Sequence, residues 1–172
     1  MWYSISELRL EINTVKMSVN EHQKWMMEAL LQAEEALKLD EVPVGAVIVK
    51  DNHIIGRGFN QLITQSDPSA HAEMVALRDA SSYQNNYRLP ECDIYVTLEP
   101  CMMCLGAMVH ARIRKLYFAT TEPKAGVICS QGCLHEMPFL NHRMEVEAGI
   151  LKDDASNLLS AFFKNKRAEK KA

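Results

Sequence analysis

No stretch of this 172-residue chain approaches the run of about 20 apolar residues that would cross a bilayer. The first 20 residues also lack the apolar core of a secretory signal, because charged side chains interrupt them: Glu7, Arg9, Glu11 and Lys16. These absences argue against an integral membrane protein and against a secretory precursor. We therefore expect a cytoplasmic protein with no membrane partner.

Cysteine is sparse and odd in number, since the chain has five. Cys101 and Cys104 are three residues apart, a spacing typical of metal ligands. The odd count and this spacing argue against a disulfide framework, and a reducing compartment agrees with thiolate ligands. Cys92, Cys129 and Cys133 are expected to be ordinary free thiols.

An excess of positive charge is also missing, since the net charge is -3, which taken alone argues against a nucleic-acid binder. The charge is unevenly spread: residues 164–172 carry a net +4, which leaves -7 on residues 1–163. By composition this basic tail is most simply a solvated helix end. It becomes a contact for a polyanion only if it lies beside the site.

The length and an apolar content of 48% suit one globular domain. Internal repeats and low-complexity linkers are absent from the sequence. Residues 1–17 fit none of the pattern that follows, so we expect a flexible N-terminal extension, or an upstream start codon, before a single domain over residues 18–172.

Apolar residues at helical spacing predict a first helix over residues 21–39, which Pro43 ends. Two β-rich runs, residues 44–50 and 53–60, meet at Asp51-Asn52 and predict a hairpin. Further strands are predicted over residues 94–98, 115–119 and 144–146. Further helices are predicted over residues 71–81, with a start at Asp67-Pro68-Ser69, over residues 100–111 with Pro100 in first position, and over residues 153–171. This alternation predicts an α/β fold whose sheet is covered on both faces.

The candidate ligands of a metal ion are His71, Cys101 and Cys104. One imidazole and two thiolates fill three positions of a tetrahedral zinc and leave the fourth for water, as a catalytic site requires. The two cysteines share one face of a predicted helix. In the first turn of that helix, the dipole and the metal favour their thiolate form.

A proton shuttle is suggested by Glu73, two residues after His71. Two thiolates cancel the charge of Zn²⁺, so the bound water is acidified less than in a site of three imidazoles and a separate base is useful. The chemistry this supports is attack of an activated water on a trigonal carbon, with the carboxylate passing the proton to the leaving group. H-x-E followed by P-C-x-x-C is the signature of zinc nucleobase deaminases.

A structural zinc is the alternative, and it needs a fourth ligand close by. His110 lies six residues past Cys104, nearly opposite on the helix, and is expected to be a packing or surface residue. The sequence does not exclude three other histidines: His53, His135 and His142.

Several longer blocks surround these residues, and with them residues 25–171 resemble the bacterial tRNA-specific adenosine deaminases. The blocks are Glu41-Val42-Pro43-Val44-Gly45-Ala46-Val47, Asp67-Pro68-Ser69-Ala70-His71-Ala72-Glu73, Tyr95-Val96-Thr97-Leu98-Glu99-Pro100-Cys101, Asn141-His142-Arg143 and Phe162-Phe163-Lys164-Asn165. Cytidine and guanine deaminases share the zinc motif, but the last two blocks look like the tRNA-editing branch.

The resemblance implies a cytidine deaminase-like α/β/α sandwich with a mixed sheet of about five strands. It also implies a homodimer with one Zn²⁺ per subunit and no nucleotide cofactor. The implied activity is hydrolytic deamination of adenosine to inosine at the wobble position of a tRNA anticodon, with the anticodon stem-loop as partner.

The same resemblance implies several substrate contacts. Asn60 would hydrogen-bond the target nucleotide, and Val44 and Ala70 would line the base pocket. Phe163 and Arg167 would lie on the closing helix that meets the anticodon loop, with Phe163 as the exposed member of the Phe162-Phe163 pair.

The chain departs from the family in one loop. The family generally has Asp where this chain has Glu122, and the longer carboxylate could shift contacts to the flanking nucleotides. Cys129 stands where the family usually has glycine.

Two other functions remain open. One is deamination of a free nucleobase or nucleoside, such as guanine or cytidine, by the same zinc chemistry, although such an enzyme has no need of a basic closing helix. The other is a catalytically silent RNA-binding module with a folding zinc, against which an intact Glu73 argues.

Overall fold

The computed structural model describes residues 20–170, which form five α-helices, one 3₁₀ turn and five strands. In chain order they are α1 (Glu21–Lys38), β1 (Gly45–Lys50), β2 (His53–Phe59), α2 (Leu62–Gln65), α3 (Ala72–Gln84), β3 (Asp93–Leu98), α4 (Met102–Ala111), β4 (Lys115–Thr120), the 3₁₀ turn (Leu134–Glu136), β5 (Glu145–Ala148) and α5 (Lys152–Glu169). The short helix α2 and the 3₁₀ turn were not expected from the sequence. The prediction for residues 1–17 lies outside the described residues.

The five strands form one mixed sheet in the order β2-β1-β3-β4-β5. The first strand is antiparallel to both of its neighbours, β2 and β3. The three strands β3, β4 and β5 are parallel. This confirms the predicted α/β class and the mixed sheet of five strands.

Helices cover both faces of the sheet because the central strands are apolar on both sides. One face buries Val47, Tyr95 and Tyr117 against α1 and the start of α5. The other face buries strand residues such as Ile48 and Ile94 against α3 and α4. Near-continuous apolar strands of this kind are typical of sheets buried on both faces. The result is the three-layer α/β/α arrangement that was expected.

The predicted hairpin between β1 and β2 is confirmed. Asp51 and Asn52 both have positive φ, 48° and 60°, as a two-residue type I′ turn requires. The second strand then passes close under α3. A Cβ on Gly58 would lie 2.3 Å from the Ala72 carbonyl oxygen, so only glycine allows this approach.

Two predicted helix starts are wrong. Asp67 does not begin α3, because its Oδ1 accepts hydrogen bonds from the Ser69 amide at 2.8 Å and the Ser69 hydroxyl at 2.7 Å. This local turn satisfies the backbone without a helix, and α3 begins after His71. Pro100 is not in the first position of α4 either, since extended Cys101 is the N-cap. Two of the three metal-ligand candidates, His71 and Cys101, are therefore at cap positions.

No helix within residues 20–170 is long and apolar enough to cross a membrane.

Candidate metal centre and active-site pocket

His71, Cys101 and Cys104 converge at one end of the sheet, as predicted. His71 is the N-cap of α3, Cys101 is the N-cap of α4, and Cys104 lies one turn further along α4. The Nδ1 atom of His71 is 3.7 Å from the Cys101 Sγ and 3.6 Å from the Cys104 Sγ. The two sulfurs are 3.7 Å apart.

These separations fit a tetrahedral zinc. Bonds of about 2.3 Å to sulfur and about 2.1 Å to nitrogen set two sulfurs about 3.8 Å apart, and a sulfur and a nitrogen about 3.6 Å apart. The three contacts are therefore better described as edges of a coordination tetrahedron than as hydrogen bonds. Within residues 20–170 no other group of three such side chains could hold a metal ion.

The thiols of this cluster differ in acidity even without a cation. The close contact with Cys104 lowers the pKa of Cys101 to about 3, with help from His71 and against the effect of burial. The same contact, together with burial, raises the pKa of Cys104. One thiolate therefore forms readily, and a second needs the positive charge of a bound ion.

Glu73 lies in the first turn of α3, only 4% exposed, and lines the same cavity as His71 and Cys101. Burial raises the pKa of its carboxyl, because the surroundings penalise the charged form. A carboxyl in this position beside the candidate metal ligands is suited to receive and return a proton.

The other histidines do not complete a four-ligand site. His110 is exposed on α4, and His53 bonds the Asp51 carbonyl oxygen at 2.6 Å. The Nε2 atom of His142 lies 2.6 Å from the Ile113 carbonyl oxygen, and His135 also lies outside the cluster. Among the described residues the structural-zinc alternative therefore has no fourth ligand.

A cavity of about 470 Å³ opens over the cluster. Its lining includes four of the six predicted substrate contacts: Val44, Asn60, Glu122 and Phe163. Ala70 is fully buried and is not part of the lining, and exposed Arg167 lies beyond it on α5.

Asn60 is held in a defined orientation at the cavity. Its Oδ1 accepts the Ala72 amide hydrogen at 2.9 Å, which ties the end of β2 to the start of α3. Since the carbonyl oxygen is already used, the amide NH₂ is the group that Asn60 can offer to a ligand.

Phe162 and Phe163 divide as predicted. Phe162 is 7% exposed and belongs to the core, whereas Phe163 is 45% exposed and reaches the cavity. The basic part of α5 follows, and its Lys166 is held by Asp40 and Glu169.

Glu122 caps its own loop. Its Oε1 accepts the Lys124 amide hydrogen at 2.9 Å. The carboxylate thus borders the cavity but is already engaged with the backbone of the segment in which this chain departs from the family.

The Asn141-His142-Arg143 block is far from the cavity in the same chain. Arg112 donates to the Asn141 Oδ1 at 2.7 Å, and His142 contacts Ile113 just before β4 begins. Cys101 and Cys104 follow the end of β3, which runs parallel to β4, so the block lies at the opposite end of the sheet from the candidate metal ligands.

Two buried carboxylates of the cavity were missed by sequence reasoning. Glu41 accepts the amide hydrogens of Ile63 and Thr64, both at 2.7 Å. Glu99 accepts several amide hydrogens from the loop after β4. Each is an acidic residue beside an apolar segment, a signal that could have identified it as buried and bonded.

The described residues match known deaminases. The family model of MafB19-like deaminases matches residues 20–167. This match, over a fold and a metal cluster of this kind, defines the chain as a deaminase of the cytidine deaminase-like class.

Individual relatives narrow the class. A tRNA-specific adenosine deaminase of Haemophilus influenzae is 47% identical over 150 residues, which are 87% of each chain. One of Streptococcus pyogenes serotype M1 is 40% identical over 154 residues, which are 90% of each chain. The chain therefore belongs to the family of tRNA-specific adenosine deaminases.

Solved structures agree with this assignment. A structure from a study of A-to-I editing by tRNA:A34 deaminases at the wobble position of transfer RNA has a TM-score of 0.77 and 39% identity, and the match covers 79% of this chain and 99% of that one. A guanine deaminase from Nitrosomonas europaea has a TM-score of 0.71 at 23% identity, over 81% of this chain and 83% of that one, which shows the shared fold alone.

Proposed function

We propose that this protein converts adenosine to inosine at the wobble position of a tRNA anticodon. The observation that carries the proposal is the presence of Glu73 in one cavity with two members of the His71, Cys101 and Cys104 cluster, in a chain of this family. The reaction consumes one water and releases one ammonia.

His71, Cys101 and Cys104 hold one zinc ion per subunit, and their spacing supports this assignment. A zinc ion bound there would supply an acidified water as the nucleophile. Two thiolates and a neutral imidazole favour zinc over harder cations that prefer oxygen ligands.

Glu73 moves the protons. Its carboxylate takes a proton from the water as the water oxygen bonds to C6 of adenine, and it delivers that proton to N1 of the ring. It then carries the second water proton to the amino group at C6, the C6–N6 bond breaks, and ammonia leaves. The raised pKa that burial gives Glu73 keeps the carboxyl able to hold a proton between these steps.

The remaining cavity residues bind the nucleotide. A base in a single-stranded loop is splayed out at less cost than one in a duplex. Asn60 offers its amide NH₂ to the target nucleotide and Val44 lines the base pocket, whereas Ala70 is buried outside the lining of the cavity. Glu122 contacts flanking nucleotides.

The closing helix α5 meets the anticodon loop. Phe163 is exposed at the rim of the cavity, where a base can stack on its ring, and such stacking contributes about 1 to 3 kcal/mol per base. Arg167 is exposed one turn further along α5 and contacts a phosphate of the loop in this proposal.

A homodimer is the second part of the proposal, with α4 as the contact surface. This helix is apolar on nearly every side, yet Met102 is 66% exposed and Met103 is 36% exposed. A Cβ on Gly106 would meet nothing within 4 Å. A helix of this composition is normally covered, and a second copy of the chain would cover it. Met102→Asp should lower the mass seen by sedimentation equilibrium to that of a monomer, and an unchanged dimer would contradict this surface.

We also propose a cytoplasmic location, where the tRNA substrate is found, and a single catalytic domain over residues 18–172 that uses no nucleotide cofactor.

The decisive experiment incubates the purified, zinc-loaded protein with an anticodon stem-loop that carries A at the wobble position. Free adenosine, cytidine and guanine are tested separately, and inosine and ammonia are measured. We expect both products from the stem-loop and little from the free compounds. Activity on the free compounds alone would make the protein a nucleobase or nucleoside deaminase, and no ammonia from any RNA would favour a silent binding module.

A further inference from the structure

The carboxylate of Glu99 is enclosed by the loop that follows β4. Its Oε1 accepts the amide hydrogens of Ile128 at 3.0 Å, Cys129 at 2.8 Å and Ser130 at 3.0 Å. Its Oε2 accepts the Glu122 amide hydrogen at 3.0 Å and a hydrogen bond from the Ser130 hydroxyl. Glu99 itself is 3% exposed. Successive amides directed at one anion form a concave binding site, which is filled here by a side chain of the same protein.

The loop fits this carboxylate closely. A Cβ on Gly126 would lie 2.4 Å from the Glu99 Oε2, so any larger residue would have to displace the loop or the carboxylate. The Val127 amide donates to the Pro100 carbonyl oxygen at 3.1 Å, next to Glu99 in the chain. Residues 122–130 are thus fastened to the segment that leads into Cys101.

The same loop forms one wall of the active-site cavity. Glu122 and Ala125 line the cavity together with Glu99 and Cys101. Glu122 is anchored through its own amide to Glu99. The position of this wall therefore depends on a carboxylate two residues from a metal-ligand candidate.

Proton transfer is not a plausible task for Glu99. Five donors occupy its two oxygens, and a carboxylate has about four lone-pair positions. The Glu99 carboxylate therefore has no lone pair left to accept a hydrogen bond from water or from a nucleobase. Its effect on the reaction must pass through the loop that it holds.

We infer that Glu99 is a positioning residue that fixes the cavity wall of residues 122–130 and thereby sets the affinity for the RNA nucleotides beside the reacting base. This inference rests on the proposed function for the identity of the ligand. An ordinary buried carboxylate would support stability alone, and replacing it would leave the affinity of the folded enzyme for RNA unchanged.

The test uses Glu99→Gln, which keeps the shape but turns an NH₂ group toward backbone N–H donors. We expect zinc content to stay at one per subunit, hydrogen exchange at Ile128, Cys129 and Ser130 to accelerate, and KM for the stem-loop to rise by about tenfold or more with a smaller change in kcat. Glu99→Asp retains the acceptors on a shorter stem and should restore part of the affinity.

Gly126→Ala is the second variant, because it disturbs the same contact without altering the carboxylate. It should also raise KM. In the double variant with Glu99→Gln the two effects on KM should be less than additive, since both changes break the same interaction. It also keeps the test open if Glu99→Gln fails to fold.

Asp93→Asn is the matched control. Asp93 is a buried carboxylate at the opposite end of the sheet, where Arg114 donates to both of its oxygens at 2.8 Å. This variant should lower stability and leave KM unchanged. The inference is overturned if Glu99→Gln and Gly126→Ala leave loop exchange and KM unchanged, if they remove the zinc, or if Asp93→Asn raises KM equally.

Failure of the proposed function can be distinguished from failure of the inference about Glu99. The dissociation constant for the stem-loop is measured beside KM and needs no turnover. A wild-type protein that binds RNA but does not deaminate it would therefore contradict the proposed function. The effect of Glu99→Gln on the dissociation constant would still decide the role of the loop. A wild-type protein that does not bind the stem-loop would overturn both.

Discussion

The Nδ1 atom of His71 lies 3.6 Å from the Sγ of Cys104, although the two residues are 33 positions apart in the chain. The contact forms because α3 and α4 pack on the same face of the sheet and both begin at the same end of it. The candidate ligand from α3 is its cap, His71, and those from α4 are Cys101 and Cys104 in its cap and first turn, where backbone N–H groups favour a thiolate.

Removing the metal should change the reactivity of the cysteines. In the zinc-loaded protein a thiol reagent should modify only exposed Cys129 and Cys133 at an appreciable rate, since Cys92 is buried. A chelator should release Cys101 and Cys104 for modification in parallel with loss of zinc and of deamination. Cys104→Ser should bind zinc poorly from the outset. Reaction of all five thiols without a chelator would contradict the site.

Glu73→Gln should separate chemistry from metal binding. Since Glu73 is proposed to shuttle protons without being a ligand, the variant should retain zinc and lose about 10³-fold in kcat, with little change in the dissociation constant for the stem-loop. Zinc analysis and single-turnover kinetics on the same preparation measure both effects. Near-normal turnover, or loss of the zinc, would each rule out the shuttle.

The sheet could be predicted from the sequence because strands leave a periodic pattern, and the candidate metal ligands could be predicted because His71 and Glu73, and Cys101 and Cys104, form two short local motifs. The roles of Glu99 and Glu41 could not, since each carboxylate bonds backbone amides at least 22 residues away. The helix start assigned to Asp67 failed for a different, local reason, because its carboxylate bonds Ser69 two residues further on in a turn and leaves His71 as the cap. The bonds of Glu41 and Glu99 join distant segments and therefore leave no periodic signal in the sequence.

Phe162→Ala and Phe163→Ala should have opposite consequences, although the residues are adjacent. Phe162 is 7% exposed, so its truncation should lower the free energy of unfolding by about 3 kcal/mol with little direct effect on RNA. Phe163 is 45% exposed at the rim of the cavity, so its truncation should spare stability and weaken stem-loop binding by about tenfold. Urea unfolding and fluorescence anisotropy measure the two effects.

Alkaline pH should destabilise the protein partly through Cys92. Burial raises the pKa of this thiol from 9.0 to about 11, and the smaller effects of nearby charges come from Lys50, Asp93, Asp51 and Arg114. A raised native pKa means that the stabilisation is complete below pH 9 and is lost as the pH rises through 11, because the unfolded thiol ionises first. Between pH 9 and pH 11 the free energy of unfolding of Cys92→Ala should therefore decline less steeply than that of the wild-type protein. The difference should reach at most about 3 kcal/mol, and parallel curves would contradict it.

Two glycines should respond oppositely to alanine. A Cβ on Gly58 would lie 2.3 Å from the Ala72 carbonyl oxygen and 2.4 Å from the Ala76 amide nitrogen, and backbone atoms cannot swing away. Gly58→Ala should therefore shift the start of α3, cost about 1 to 3 kcal/mol of stability and weaken zinc binding, since His71 caps that helix.

Gly106 is the matched case, because a Cβ there meets nothing within 4 Å in a single chain. Alanine in the middle of α4 should raise the helix propensity by up to about 1 kcal/mol and stabilise the isolated subunit. If a second copy packs on α4 as proposed, the added methyl group falls in the contact and should weaken association. For Gly106→Ala, thermal unfolding should then show a more stable subunit, whereas sedimentation equilibrium should show weaker association. Higher stability without weaker association would indicate that this face of α4 is open to solvent.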